Sequence, residues 1–527
     1  MNSKLQIVVD NNQRLYGLTR EQKTAVKEAL TYDNPKYKQA KQYGRSKYIS
    51  IPPYLTYYSE LDDCLEVPFG FDIMSIPSIK SARYDVVDTN EKVLANYPEI
   101  GITLRDDQKK ALDGFYFYER PHTMQNNHFG VIQLPTGKGK SILGIYMSYL
   151  FKQKTLILVH KDDLVVGWKK DIAMCFNNQL DVGLIKAKSR KIGEQFTIAT
   201  VQTLSRMSQE ELAKYTHQFG MVIVDEAHHI ASTTFNIVDK FSCYYKLGLS
   251  ATPKRTDGLD QCFDLFFGGI VYRHKYSKDD RDILPVKVLV QESKVHYRPF
   301  VVRNDKGAYV MDQFFNMFDY KANELPKDFK PVDAFGYSDR PRVPHLLVDN
   351  QIVLDRTFKI KVCRDIIREV RKGHSCLALF TQKDHIEKYY QYLCRYMPKE
   401  QIMLYYGDSK EKSEDLIKRA ESKEALITLG TLAKTTEGTN VKSWEVLFLV
   451  SSINNEKNVE QATGRIRRSK EGKLNPVLVY DYEHPYVATS VQSHFTTRKR
   501  VYDRLSYVIE YLNKEKPKGN SMFSRGY

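Results

Sequence analysis

No stretch of this 527-residue sequence is apolar for long enough to cross a bilayer, since a spanning helix needs about 20 consecutive apolar residues. Met1-Asn2-Ser3-Lys4 lacks the apolar block of a secretory signal. The expectation is therefore a cytoplasmic protein, retained where it is made. The seven cysteines (Cys64, Cys175, Cys243, Cys262, Cys363, Cys376 and Cys394) include no Cys-x-x-Cys pair. Several sit in apolar segments, where cysteine behaves as a small hydrophobe, so neither a disulfide framework nor a zinc site is expected. No long-period repeat is evident. Acidic residues are in deficit, 64 against 80 Lys plus Arg, for a formal charge of +16. That excess favours a polyanionic partner, nucleic acid first, although a diffuse excess also serves simple solubility.

The length implies two to four domains. Hydrophobic residues at 42% and charged residues at 27% are ordinary for a globular protein. Short apolar runs recur at 155–160, 196–200, 221–225 and 246–250, and again at 375–381, 401–405, 425–429, 445–450 and 476–482. Helical stretches such as 163–175 and 385–396 lie between them. Near-continuous apolar strands alternating with helices predict an α/β fold whose parallel sheets are covered on both faces. The expected organisation is an N-terminal accessory domain over 1–98, DNA-binding in our reading, and a first lobe over 99–285. A connecting or insertion segment over 286–348, a second lobe over 349–485 and a C-terminal helix with a basic tail over 486–527 complete it. The tail Lys514–Tyr527 has little to bury and is expected to be disordered.

Leu134-Pro135-Thr136-Gly137-Lys138-Gly139-Lys140-Ser141 follows the strand candidate Phe129–Leu134 and opens the amphipathic run Ile142–Leu150. This is the context of a phosphate-binding loop, although the strict pattern wants Gly at Leu134. Gly137 and Gly139 let backbone N–H groups crowd around a triphosphate at a helix N-terminus. Lys140 reaches the outer phosphates, and Ser141 places a hydroxyl on magnesium. Upstream, Arg105 and Gln108 are candidates for the nucleotide, the Gln108 amide suiting an adenine edge. Val222-Ile223-Val224-Asp225-Glu226 is a strand ending in two carboxylates. Asp225 is expected to hold the metal and Glu226 to orient the attacking water. A zinc site at His228 and His229 is disfavoured, because no third ligand is evident.

Ser250 and Thr252, at the end of another strand, carry hydroxyls suited to coupling the nucleotide site to neighbouring elements. In the second half, Gly430-Thr431 and Thr435-Thr436-Glu437-Gly438 form a hydroxyl- and Gly-rich loop, and Gln461-Ala462-Thr463-Gly464-Arg465-Ile466-Arg467-Arg468 opens a helix. Planar guanidinium groups suit the charge of a γ-phosphate. The spacing of Arg465 and Arg468 predicts that they share a helical face.

Gln108, the phosphate loop, Asp225-Glu226-Ala227-His228, Ser250-Ala251-Thr252 and Gln461-x-x-Gly464-Arg465-x-x-Arg468 occur in the order of superfamily 2 helicases. The chain resembles that superfamily from about residue 99 to about residue 485. The resemblance implies two tandem RecA-like lobes, ATP with Mg2+ bound in the cleft between them, catalytic roles for Lys140, Asp225, Glu226, Gln461, Arg465 and Arg468, a nucleotide contact at Gly438 and coupling through His228. It also implies nucleic-acid contacts at Lys161, Trp168, Gln202, Thr203, Thr381, Thr431 and Thr436, mainly to the phosphodiester backbone; for Trp168 a buried place against the sheet is equally open. Tyr32-Asp33-Asn34-Pro35-Lys36-Tyr37 and Val67-Pro68-Phe69-Gly70-Phe71 are similar to the N-terminal region of recombination helicases of large tailed phages, relatives of cellular double-stranded-DNA translocases. That similarity implies branch migration, 3'-to-5' movement and, for a phage-encoded protein, the host cytoplasm.

The function expected is ATP-dependent unwinding or branch migration of DNA in recombination, repair or replication. An RNA helicase or transcript-release factor, and the motor subunit of a restriction or defence complex, are the alternatives. Two clusters stay open between nucleic-acid contact and a solvated or packed face: Tyr37, Lys38, Lys41, Tyr43, Arg45, Lys47 and Tyr48, and Arg498, Lys499, Arg500 and Arg504. The aromatic-rich stretch from Phe300 to Tyr337 is either a bridging insertion or a DNA-gripping element.

Overall fold

The computed structural model describes residues 5–42, 51–118, 128–135, 137–227, 237–251, 261–274, 283–295, 300–303, 309–310, 332–333, 345–407, 413–435, 441–487 and 489–512. The chain divides into two compact units, Met1–Lys275 and Tyr276–Tyr527. Each carries the expected fold class, an α/β sheet of mainly parallel strands, and the first adds a small N-terminal sheet.

The first unit is built on eight strands in the order Ser189–Lys191, Gly183–Lys186, Phe196–Thr200, Thr155–Val159, Met221–Asp225, Tyr245–Ser250, His128–Gln133 and Ile270–Arg273. All neighbours are parallel except the first pair, a hairpin. Thr155–Val159, Phe196–Thr200 and Met221–Asp225 are buried at every position, which is why they read as unbroken apolar runs rather than alternating ones. Helices Lys140–Phe151 and Asp162–Cys175 cover one face, with Leu143, Ile145, Val165, Trp168 and Ile172 buried against it.

The strands Ser59–Glu60, Cys64–Val67, Gln13–Tyr16, Leu5–Val9 and Tyr84–Asp88 form a second, five-stranded sheet whose core is continuous with that of the larger one. Phe69 meets Phe129 edge-on at 5.0 Å between ring centroids, and the Gly70 N–H donates to the Leu265 carbonyl at 2.7 Å. The approach at Gly70 is so close that an added Cβ would stand 2.4 Å from the Gly268 nitrogen. Lys246, a cation inside a core strand and fully buried, donates to the Asn11 carbonyl at 3.0 Å and lies 3.9 Å from the centre of the Phe69 ring. A buried ammonium needs such partners to offset its lost hydration.

The second unit holds seven parallel strands, ordered Ile402–Tyr405, Ile427–Thr431, Cys376–Phe380, Val446–Leu449, Val477–Glu483, Val286–Glu292 and Val508–Leu512. The last two come from the segments expected to connect and to follow the second lobe. Val286–Glu292 is hydrogen-bonded between Val477–Glu483 and Val508–Leu512, so both segments contribute strands to this sheet. Between Phe300 and Tyr337 the strands Tyr309–Val310, Phe300–Arg303 and Val332–Asp333 form a small antiparallel sheet. The tail Lys514–Tyr527 lies outside the described residues.

Candidate nucleotide site

Five parallel strands of the first unit end at one edge of its sheet, and the residues that follow them build the site. The loop after His128–Gln133 turns twice through left-handed backbone, at Gly137 (φ 90°) and Gly139 (φ 65°), before helix Lys140–Phe151 begins. A Cβ at Gly139 would also meet the Gln108 amide nitrogen at 2.7 Å. Glycine is thus required there twice, by conformation and by space. The Leu134 N–H donates to the Ser250 carbonyl at 3.0 Å and the Lys138 N–H to the Pro135 carbonyl at 3.1 Å, which fixes the loop's entry.

Lys140 Nζ lies 3.3 Å from Glu226 Oε1, with both side chains largely buried. Asp225 ends the central strand, and its Oδ1 accepts the Glu226 N–H at 2.9 Å. Burial, and then the adjacent Glu226 charge, push the Asp225 carboxyl up to about 6, against the pull of Lys140 and of a hydrogen bond from Trp168. Glu226 itself is held at φ 47°, a conformation that costs a non-glycine residue of order 1 kcal/mol or more and persists where the surroundings enforce it. The cradle of left-handed glycines, the lysine and the paired carboxylates fit a magnesium–triphosphate. Ser141, in the first turn of the helix, and Asp225 would hold the metal, which screens phosphate charge when bound. Among the described residues no cluster of three acidic, His or Cys side chains forms a metal cage.

Gln108 is placed otherwise than an adenine reader requires. Its amide donates to the Gly139 and Lys138 carbonyls at 3.0 and 3.3 Å, and its Oε1 accepts the Arg105 N–H at 3.0 Å. In this structure it braces the phosphate loop from behind. Lys138 is likewise turned away from the phosphate position, buried with its ammonium 3.3 Å from Asp107 Oδ2. The other Asp107 oxygen accepts from Arg105 Nε and the Gln108 N–H. Asp107 is therefore a hub of the loop, and no local motif singles it out.

Trp168 takes the buried place that its sequence left open beside nucleic-acid contact. It is 2% exposed, so it offers no face to a nucleic acid, and its indole N–H donates to Asp225 Oδ2 at 2.8 Å. The physical reason is its helical register: with Val165 and Ile172 it faces the sheet, directly over the end of the central strand. Groups that orient metal-holding carboxylates typically govern metal affinity by 10- to 100-fold. Trp168→Phe keeps an aromatic ring, though a smaller one, and removes the donor. It is expected to raise the magnesium concentration for half-maximal ATP hydrolysis about tenfold while leaving the melting temperature within a few degrees. An unshifted magnesium titration would show that the hydrogen bond does not position Asp225.

Lys161, Gln202 and Thr203 gather at the same sheet edge. Lys161 is the N-cap of helix Asp162–Cys175. Gln202 donates to the His160 carbonyl at 2.7 Å, and the Thr203 hydroxyl lies 2.7 Å from that of Thr200. Thr136, His228, Thr252, Thr436 and Gly438 lie outside the described residues.

In the second unit, Gln461 and Arg465 are buried on helix Glu456–Ile466. The Gln461 side-chain carbonyl makes no hydrogen bond among the described residues. The helix ends at Ile466, so Arg468 does not share its face with Arg465. Arg468 instead forms a β-bridge with Ile283, while the Arg467 carbonyl accepts the Leu284 N–H at 2.8 Å. Thr381 and Thr431 stand at the C-terminal ends of neighbouring parallel strands. The Thr381 hydroxyl donates to buried Asp349 at 2.6 Å, and the Thr431 carbonyl accepts from the Thr435 hydroxyl at 2.7 Å.

The family described as type III restriction enzyme, res subunit, matches residues 101–255. The chain is 25% identical over 404 residues to probable helicase D10 of Escherichia phage T5, covering 76% of this chain and 76% of that protein. It is 25% identical over 400 residues to the DNA 3'-5' translocase XPB2 of Sulfurisphaera tokodaii, covering 73% and 84%. It is 21% identical over 426 residues to a transcript termination protein of cowpox virus, covering 79% and 78%.

Proposed function

We propose that the chain is a superfamily 2 helicase and that the nucleic acid it works on is DNA, which it unwinds or branch-migrates at the expense of ATP during recombination, repair or replication. The family match over residues 101–255 and the likeness to helicases and a translocase along most of the chain support this. One observation carries the reading: a phosphate loop whose lysine stands 3.3 Å from Glu226, beside buried Asp225, on the sheet edge that also presents Lys161, Gln202 and Thr203. Lys140 neutralises outer phosphate oxygens. Glu226 is placed to polarise the attacking water once Lys140 turns to phosphate. Gln461, Arg465 and Arg468 are the second unit's candidates for the γ-phosphate, and His228, Ser250 and Thr252 couple hydrolysis to the strand-gripping positions Lys161, Gln202, Thr203, Thr381, Thr431 and Thr436. The likeness to a DNA translocase along most of the chain supports DNA as the track.

An RNA or transcript-release role is favoured by the likeness to a transcript termination protein. The test is ATP hydrolysis with single-stranded DNA, duplex DNA, a four-way junction or RNA. Strongest stimulation by duplex or branched DNA is expected, at least tenfold over the unstimulated rate. Preferential stimulation by RNA would replace the DNA reading.

A further inference from the structure

Helix Arg356–Arg371 of the second unit sorts its charges by face. Its two acidic residues, Asp365 and Glu369, are 4% and 0% exposed. They are held from beneath: Asp365 by Gln291 at 3.1 Å and the Tyr482 hydroxyl at 3.3 Å, Glu369 by the Tyr480 hydroxyl at 2.9 Å. Phe358, Val362, Ile366 and Val370 bury the same side. The opposite side carries Lys361, Arg364, Arg368, Arg371 and Lys372. Their spacing of three and four residues makes one stripe, about 16 Å long at 1.5 Å rise per residue. Arg368 and Lys372 reach the buried carboxylates. Lys361, Arg364 and Arg371 form no ion pair among the described residues, and Arg364 and Arg371 are exposed. Burial, only partly offset by the Asp365 charge, lowers the Lys361 ammonium, and neighbouring Arg368 and Lys294 lower it further.

The stripe does not stand on a featureless surface. Between this helix and the end of helix Lys383–Leu393 runs a groove of about 440 Å³ lined by Arg364, Arg368, Arg371, Lys372, Tyr392 and Tyr396. The two tyrosine rings lie 5.3 Å apart, and Tyr396 is 57% exposed. An acidic polypeptide would use the cations alone. Phosphates along one wall and unpaired bases against exposed aromatic faces would use both.

We infer that this groove is a second nucleic-acid-binding surface, which takes the phosphodiester backbone of a strand along Arg364, Arg368 and Arg371 and rests a base on Tyr396. It is separate from the strand-gripping positions. Arg371 and Lys372 precede strand Cys376–Phe380, whereas Thr381 follows it, and the five residues between span about 16 Å. A surface on this side of the unit gives a branched substrate a second arm to hold. The inference rests on the nucleic-acid reading of the whole chain and adds a place to it.

The test uses the full-length protein and the double variant Arg364→Gln/Arg371→Gln, both sites being exposed and outside the nucleotide machinery. Binding of labelled single-stranded DNA, duplex DNA and polyglutamate is measured from low to high salt. Each lost phosphate contact lowers the log–log salt slope by about 0.7 on a single strand and about 0.9 on a duplex. The variant should therefore lose about 1.4 from the single-strand slope, with ATP hydrolysis in the absence of nucleic acid unchanged. Tyr396→Ala should weaken single-strand binding about tenfold and duplex binding less. A slope and affinity equal to the parent's would overturn the groove while leaving the helicase reading intact. Loss confined to polyglutamate would assign it to an acidic polypeptide instead. A parent that binds no nucleic acid at any salt would overturn both readings.

Discussion

Lys140→Ala is expected to lower the turnover of ATP by at least 10²- to 10³-fold, the usual cost of removing one preorganised charge from a developing phosphate or oxyanion. The geometry makes the prediction specific. Lys140 is the first residue of its helix, and its ammonium is 3.3 Å from Glu226, so removing it takes away a phosphate ligand and leaves two adjacent carboxylates facing each other. Asp225, already raised to about 6, loses one of the charges that hold it down. Nucleotide binding should therefore weaken together with turnover. Glu226→Gln is the informative partner. It keeps the size of the side chain at φ 47°, and should bind nucleotide like the parent while turning over about 10²- to 10⁴-fold more slowly, as expected when a general base is lost. Measuring nucleotide affinity and single-turnover hydrolysis on both variants separates the roles. Parent-like hydrolysis by Lys140→Ala would remove the phosphate loop from the site.

What the sequence made legible follows from how local each signal is. The central strands of both sheets announced themselves because residues such as Ile157, Ile223 and Leu377 are buried on both sides of a parallel sheet, leaving unbroken apolar runs. The phosphate loop and the Asp225-Glu226 pair were equally local, each a few consecutive residues at a strand end. The contacts that tune the site were not. Trp168 and Asp225 are separated by 57 positions, and nothing in the helix pattern distinguishes an indole that packs from one that also donates to the carboxylate at the end of the central strand. Gln108 has the chemistry of an adenine reader, and only the path of the loop shows its amide engaged with the Gly139 carbonyl. Arg468 misled for a related reason. A three-residue spacing places two arginines on one face only while the helix lasts, and the bridge to Ile283 ends it first. The strands Val286–Glu292 and Val508–Leu512 pair with each other across more than 200 residues of chain, so no local pattern assigned them to the second sheet.

Arg498 gives the largest expected effect on stability. In sequence it belongs to a basic cluster with Lys499, Arg500 and Arg504, open between nucleic-acid contact and a solvated face. In the structure it does neither. It is 2% exposed against a fully buried Asp481, with Nε 3.0 and 2.9 Å from the two carboxylate oxygens. Its remaining nitrogens donate to the Ile453 and Tyr482 carbonyls, both at 3.1 Å, and the Tyr502 hydroxyl donates to Asp481 at 2.6 Å. Lys499 and Arg504, by contrast, make exposed or half-buried pairs with Asp503 and Glu460, which contribute little. Arg498→Met leaves Asp481 buried without its cation, a change that typically costs about 3–5 kcal/mol. The thermal transition of the second unit should fall by about 10 °C, and the drop should persist in high salt because a buried pair is poorly screened. Arg498→Met/Asp481→Asn removes the stranded charge and should recover about half of that loss. The part left unrecovered measures the tie that Arg498 makes to the Ile453 and Tyr482 carbonyls, the first in a loop that leads into helix Glu456–Ile466 with Gln461 and Arg465. If the double variant is no more stable than the single one, most of the loss comes from breaking that tie rather than from stranding the buried charge. Arg498 would then be read as the post that sets the position of the arginine helix.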